Sequence, residues 1–443
     1  MLLELGDISS FNEEAFIRAH QQEAVTSLRL HPVKKSNSFT ANEKVPWCGQ
    51  GRYLAQRPVF TLDPLYHAGA YYVQEASSMF LDYLLRNLLP DNKNLRVLDL
   101  CAAPGGKSTL IASYLDKSSL LISNEVIRTR APILEENMSR WGYMNTWVTS
   151  NDARGIGKLE GYFDIIVVDA PCSGSGLFRK NEKALHEWSE ADVQLCSQRQ
   201  QGILADIWPA LKEDGILIYA TCSYSPREDE EILDWLGNEF AVKSLEVKIP
   251  EEWGIVSVRS EQKEMTGYRF FPDKVMGEGF FIAALQKKEE TEEIRYPKFK
   301  MADVKGIKDQ AGFLLKEQDL QFIPIADNNY AAIQPEHYAD WQLLQKTLFF
   351  RKTGTGLGSP ANKEWLPAHD VALSIDAADS LNVIPVNREQ ALKFLKKEEG
   401  YLPAIEKGWY IIAYEGLGLG WVKSLGNRFN NYLPKNQRIR MDI

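Results

Sequence analysis

The chain has 443 residues, 44% of them hydrophobic and 25% charged, with 51 Lys+Arg against 60 Asp+Glu and a formal net charge of −9. Such a length suggests two to four domains with substantial cores, which excludes global disorder. Five cysteines without a CxxC pair and six scattered histidines offer neither a zinc framework nor a disulfide scaffold, so no metal site is expected. The acidic start lacks the basic and apolar regions of a secretory leader, and no apolar run approaches the ~20 residues that span a bilayer. A cytoplasmic enzyme without membrane attachment is the default class, and the negative balance taken alone argues against a nucleic-acid partner.

The first 70 residues mix a helix-like stretch (11–30) with strand-like pieces such as 52–60, an α+β extension. A helix over 75–89 leads into LRVLDL at 95–100, a short apolar run of the buried parallel-strand kind. Strands are then predicted at 120–123, 145–149, 163–168 and 215–220, separated by helices over 128–141 and 190–211 and followed by one over 228–236. Two more strand candidates lie at 240–247 and 279–285. This alternation implies an α/β fold with a doubly wound, mostly parallel sheet. The charged run QKKEETEE at 286–293 reads as a linker, and residues 294–375 are mixed. The tail ends in short strands at 409–414 and 419–422, separated by Gly416, Gly418 and Gly420, a small β-rich module.

Ligands of open parallel sheets bind beyond the carboxyl ends of the strands. After the first central strand comes Asp99-Leu100-Cys101-Ala102-Ala103-Pro104-Gly105-Gly106-Lys107-Ser108-Thr109. Paired glycines let a ligand approach the backbone, and the helix that follows offers free N–H groups. A triphosphate-binding loop would need Gly at position 101, where Cys101 stands. Glu125 follows the second strand, where an acid can accept ribose hydroxyls, and Asn151-Asp152 ends the third, placed to meet an adenine edge. The fourth strand runs into Asp169-Ala170-Pro171-Cys172, and the fifth into Thr221-Cys222-Ser223. Two thiols therefore follow neighbouring strand ends. Cys196, inside the long helix, reads as structural, and Cys101 as a small lining residue.

Paired thiols beside a carboxyl suit one chemistry in particular. Carbon 5 of cytosine is a poor nucleophile until a thiolate adds to carbon 6, after which it can take a methyl group from a sulfonium donor. Asp169 beside the ring nitrogen would drain the developing charge, and a second thiol or a base would help remove the carbon-5 proton.

LDLCAAPGGKST, VVDAPCSGSG and YATCSYSPREDEE, in this order, resemble the RNA 5-methylcytosine methyltransferases of the NOL/NOP/Sun type, over about residues 70–287. YYVQEASSM at 71–79 and the segment ending GFFIAAL belong to the same resemblance. It implies a seven-stranded-type methyltransferase sheet. It also implies S-adenosylmethionine held by Cys101, Ala102, Ala103, Pro104, Gly105, Gly106, Lys107, Glu125, Asp152 and Asp169. Cys222 would be the nucleophile, and Cys172 would assist release; the ranking of the two thiols comes from the resemblance alone. The segments WLPAH (365–369), GWVK (420–423), NR (427–428) and NYLPK (431–435) are similar to the tail of the bacterial 16S rRNA methyltransferases of the F type. That tail implies a PUA-like RNA-binding module, with 16S rRNA as the substrate and the 30S subunit or an assembly intermediate as the partner. A tRNA cytosine-5 methyltransferase and a catalytically silent assembly factor are the alternatives.

The expected division is an N-terminal RNA-binding extension (1–70), a methyltransferase domain (71–287), an intermediate segment (288–375) and a PUA-like module (376–443), acting as a monomer. The last 23 residues carry +4 and the remaining 420 carry −13, so the charge is uneven. Lys423, Arg428 and Lys435 interleave with Trp421, Phe429 and Tyr432 there, a pattern that suits irregular RNA. Arg179 and Lys180, just past Cys172, are candidates for the phosphates flanking an extruded base.

Overall fold

The computed structural model describes residues 5–6, 8, 10–180, 182–292, 294–296, 304–317, 319–361 and 364–441, with 182–184 and 305 described by backbone only. Asn12 caps the helix Glu13–His20: its side chain accepts from the Ala15 N–H at 2.9 Å, and Glu13 and Glu14 occupy the first turn, where the helix dipole favours acids. This helix covers Glu13–His20 only. The second half of the helix-like stretch is instead β1 (Thr26–Leu30), antiparallel to β2 (Gly51–Leu54) and β3 (Tyr71–Tyr72). Pairing on both edges buries Ser27, Leu28 and Arg29, and that tertiary gain overrides local helix propensity. The strand expected over 52–60 ends already at Leu54, and a single 3₁₀ turn follows at Phe60–Leu62.

The central sheet takes its parallel core from β4 (Arg96–Asp99), β5 (Leu120–Asn124), β6 (Thr146–Thr149), β7 (Phe163–Asp169) and β8 (Leu211–Thr221), ordered β6-β5-β4-β7-β8. Beyond β8 come β9 (Val242–Leu245), β10 (Val256–Arg259), β11 (Thr266–Phe270) and β12 (Phe280–Lys287). β12 pairs antiparallel with β8, β9 and β11, and β10 closes that edge. The chain order reverses between β4 and β7, which places a crevice at the carboxyl ends of those strands. Alternate residues feed two cores. Val97, Leu121, Ile165 and Val167 face helices Phe80–Leu88, Gly106–Tyr114 and Ala131–Trp141; Leu98, Ile122, Ile166 and Val168 face Glu190–Ile207 and Glu230–Glu239. Strands buried on both faces explain the continuous apolar runs in the sequence. The long helix ends at Ile207 and not at 211, because Pro209 cannot continue it.

β12 extends into the charged run, and Lys287 is buried, donating to the Trp208 and Leu211 carbonyls. Two further strands, β13 (Gln321–Pro324) and β14 (Tyr330–Ile333), pack Ile323, Ala331 and Ile333 into the second core, joined by Trp341 and Leu344. Next, β15 (Phe350–Lys352) pairs antiparallel with β6 and becomes the other edge of the central sheet, which has ten strands in all among the described residues. β16 (Thr355–Ala361) and β17 (Glu364–Pro367) complete a four-stranded sheet with β13 and β14. The tail is a separate four-stranded sheet of β18 (Val383–Pro385), β19 (Gly408–Tyr414), β20 (Leu417–Ser424) and β21 (Phe429–Asn431). It packs against helix Arg388–Lys396, which begins with a capping box from Asn387 and Gln390.

Candidate active site

The glycine loop connects β4 to helix Gly106–Tyr114. Gly105 takes φ +114°, a backbone conformation that disfavours any side chain. Asp99, at the end of β4, is fully buried; one carboxylate oxygen accepts from the Ser108 hydroxyl at 2.6 Å and the other has no partner. Burial, reinforced by Asp169 and Glu125 and opposed by Ser108 and Lys107, pushes its carboxyl up to about 7. Lys107 does not curl around a phosphate. Its Nζ lies 2.8 Å from Asp169 Oδ2 and 5.0 Å from the Phe280 ring centre. Burial alone would pull the ammonium down, but Asp169, Asp99 and Cys222 outweigh it and hold it above its usual value.

Glu125 is 2% exposed. One oxygen accepts from the Ile127 N–H at 2.8 Å; the other is buried, without a hydrogen bond, 3.5 Å from the Arg130 guanidinium. Asp152 is exposed and caps the short helix Ala153–Gly157, accepting from the Gly155 N–H at 2.5 Å. Buried carboxylate oxygens left unpaired at two neighbouring strand ends are costly unless something supplies donors. They fit a nucleoside bearing hydroxyls and a cationic group, as S-adenosylmethionine does.

The two thiols meet. Cys172 Sγ lies 2.9 Å from Cys222 Sγ, and neither is in a disulfide. The hydrogen bond to Cys222, with burial second, raises the Cys172 thiol well above an ordinary one, and either sulfur can donate in that contact. Burial likewise raises Cys101, Cys48 (to about 11) and Cys196. Glu228, not anticipated as a site residue, clamps the two cysteine loops. Its carboxylate accepts from the Ser173 N–H (2.8 Å) and hydroxyl (2.5 Å), the Ser223 hydroxyl (2.6 Å) and the Gln200 amide (3.1 Å). Close approach of the loops also requires Gly176, where a Cβ would fall 2.7 Å from the Cys222 carbonyl.

A cleft of about 380 Å³ brings together Asp99, the stretch 101–104, Gly106, Lys107, Asp169 and Cys222. It is completed by residues 72–75 and 278–280, which lie in the two outlying segments of the resemblance, YYVQEASSM and the one ending GFFIAAL. Glu75 accepts from the backbone N–H of Ser77, Ser78 and Glu278, which ties these two segments together. Cys172 stands behind Cys222, and Glu125 and Asp152 lie further along the strand ends. A second cleft of about 470 Å³ shares Val73, Gln74 and Glu75 with the first and is lined by Arg57, Arg179 and Lys180.

The predicted RNA contacts fall into two groups. The Arg179 side chain is 4% exposed and bound to Glu278 at 2.9 Å and to the Gly277 carbonyl, so an interior carboxylate already holds its charge. Lys423 is paired with Glu364 and lies 5.4 Å above the Trp409 ring. Lys180, Arg428 and Lys435 are exposed. Lys397, which the sequence did not single out, stands close enough to Lys435 and Arg438 for their charges to lower its ammonium after burial. Among the described residues no cluster of His, Cys, Asp and Glu could hold a metal ion, and no helix is long and apolar enough to cross a membrane.

Three family descriptions match the chain: 16S rRNA methyltransferase RsmB/F over residues 86–286, the N-terminal domain of 16S rRNA methyltransferase RsmF over 4–76, and the methyltransferase RsmF PUA domain over 381–439. The ribosomal RNA small subunit methyltransferase F of Shewanella loihica is 31% identical, over 89% of this chain and 83% of that one. A methyltransferase homologue from Pyrococcus horikoshii is 29% identical with a TM-score of 0.52, over 62% of this chain and 90% of that one. NSun6 from the same organism, solved with SFG, shares the fold at 19% identity and a TM-score of 0.52, over 62% and 94% of the two chains.

Proposed function

The chain belongs to the ribosomal RNA small subunit methyltransferase F family, and from that premise we propose that it methylates carbon 5 of a cytosine in 16S rRNA. The observation that carries this reading is the contact of two unequal thiols, Cys172 and Cys222, at the edge of a cleft holding Asp169. S-adenosylmethionine, when bound, supplies an electrophilic methyl group. Cys101 to Lys107, Glu125, Asp152 and Asp169 would hold it, the unpaired oxygens of Asp99 and Glu125 taking its donors.

By the family resemblance Cys222 is the thiol that adds, as thiolate, to carbon 6 of the ring. The Cys222–C6 bond forms as electron density moves onto carbon 5 and towards the ring nitrogen. Asp169, fixed by Lys107, accepts from the exocyclic amine, and when protonated donates to the ring nitrogen where the charge develops. After carbon 5 has taken the methyl group, a base, the Cys172 thiolate or a water, takes its proton, the C5–H pair restores the C5–C6 double bond, and the Cys222–C6 pair leaves on sulfur. Cys172, already within hydrogen-bond reach of Cys222, assists that release. Bases in RNA loops are already partly unstacked, so extruding one costs only a few kcal/mol. The second cleft, with Arg57 and Lys180, gives the flanking strand a basic approach to the first. The tail module, with its exposed Arg428 and Lys435, supports recruitment of the RNA in the cytoplasm.

Incubation with labelled methyl donor, offering 30S subunits, naked 16S rRNA and tRNA in parallel, tests the reading. Label in 16S rRNA, located by bisulfite sequencing, is the expected result. Label confined to tRNA would overturn the substrate and leave the chemistry, and no label in any RNA would overturn both.

A further inference from the structure

Three large apolar side chains stand exposed at one end of the sheet: Val126 (55%) and Ile127 (46%) just past the carboxyl end of β5, and Phe349 (64%) just before the amino end of β15, which runs antiparallel to β6. Single exposed apolar residues are ordinary on protein surfaces. These three surround the end of the sheet where Glu125 keeps a buried carboxylate oxygen without a hydrogen bond and Asp152 is exposed. Phe349 is held there firmly. Its carbonyl accepts from the Ser150 N–H (3.1 Å) and the Asn151 side chain (3.3 Å), and its N–H donates to Asn151 Oδ1 (3.0 Å). The Ser150 hydroxyl in turn donates to the Glu125 carbonyl at 2.8 Å. Behind it, β15 is pinned to β6 by the Phe350–Thr149 register and to helix Ala131–Trp141 by the Arg351–Glu135 ion pair at 2.7 Å.

We propose that Phe349, which lies outside the methyltransferase segment, forms one wall of the adenine subsite together with Val126 and Ile127, an assignment that rests on the cofactor reading above. An aromatic ring with an open face, carried on a backbone held at both its N–H and its carbonyl, is what a planar base stacks on. The Glu125 carboxylate beside it takes the ribose hydroxyls, and Asp152 meets the exocyclic amine of the base. The intermediate segment thereby completes the cofactor site of the domain before it in the chain.

Binding of S-adenosylhomocysteine and of 5′-methylthioadenosine to the full chain, measured by calorimetry without RNA, tests the assignment. Phe349→Ala weakens both by about tenfold, in line with the loss of one stacking contact, while Phe349→Tyr binds both as the unaltered protein does. Because the side chain is mostly exposed, the melting temperature without ligand stays the same in both variants. Unchanged affinity of Phe349→Ala overturns the subsite. Weakening of S-adenosylhomocysteine alone overturns it too, since the effect would then lie on the amino-acid tail. Failure of the unaltered chain to bind either compound brings down the cofactor reading itself, a result distinguishable from the other two.

Discussion

Asp99 illustrates how a single side chain trades stability for binding. Its carboxyl titrates near 3.8 when unfolded and at about 7 in the fold, mainly because burial penalises the charge. Between those values the folded state holds a proton that the unfolded state has lost, so stability falls as pH rises from about 4 to 7. Above 7 the full penalty is present, roughly 4 kcal/mol at most. Asp99→Asn removes the charge and is expected to flatten the melting temperature over that range and to raise it at pH 7.5. The same variant should bind S-adenosylhomocysteine more weakly; calorimetry and thermal melts at stepped pH check both. The thiols differ in a complementary way. Cys222→Ala should lower kcat by at least about 10³-fold, the equivalent of about 4 kcal/mol in the barrier. Cys172→Ala should leave attack possible and stall release, so that a covalent RNA adduct survives a denaturing gel. Full turnover of Cys222→Ala would overturn the nucleophile, and full turnover of Cys172→Ala without an adduct would reject the release role.

Secondary-structure elements bring these side chains into register, and here the sequence was legible where local chemistry decides. Each acid and thiol follows an apolar run, so the strand-end positions of Asp99, Glu125, Asp152, Asp169, Cys172 and Cys222 could be read before any geometry was known. Contacts between distant segments could not. The Glu228 clamp depends on two loops some 50 residues apart folding to the same carboxylate, and no periodicity encodes that. β1 was read as helix because its burial comes from partners at 51–54 and 71–72. Arg179 read as a surface cation because its partner, Glu278, lies 99 residues away. Glu228→Gln keeps the shape but cannot accept from so many donors. It should lower kcat by roughly 10- to 100-fold while leaving the KM for the methyl donor nearly unchanged, since the clamp positions thiols and does not touch the glycine loop. Glu228→Ala should also destabilise the fold by about 1–3 kcal/mol, as buried donors left without their acceptor do.

At the scale of the whole molecule, an acidic chain can serve RNA because its positive charge is local. Lys397, Lys435 and Arg438 gather on the tail module while most of the excess acid lies elsewhere. Lys435→Glu with Arg438→Glu should weaken RNA binding across sequences and reduce the slope of log affinity against log salt by about 1–2. S-adenosylhomocysteine affinity should not change, since neither residue approaches the cleft. A titration at several salt concentrations separates the two effects.

The edge strand β15 has one more consequence, for how this enzyme can be cut, fused or shuffled. The matched catalytic stretch ends at residue 286, yet the sheet it builds borrows its last strand from residues 350–352. A fragment ending at 286 would leave β6 with an open row of backbone donors and acceptors, a template for pairing with another copy. The piece that looks modular along the chain is therefore not modular in space. Recombination that swaps the tail must keep residues up to about 352 with the catalytic half.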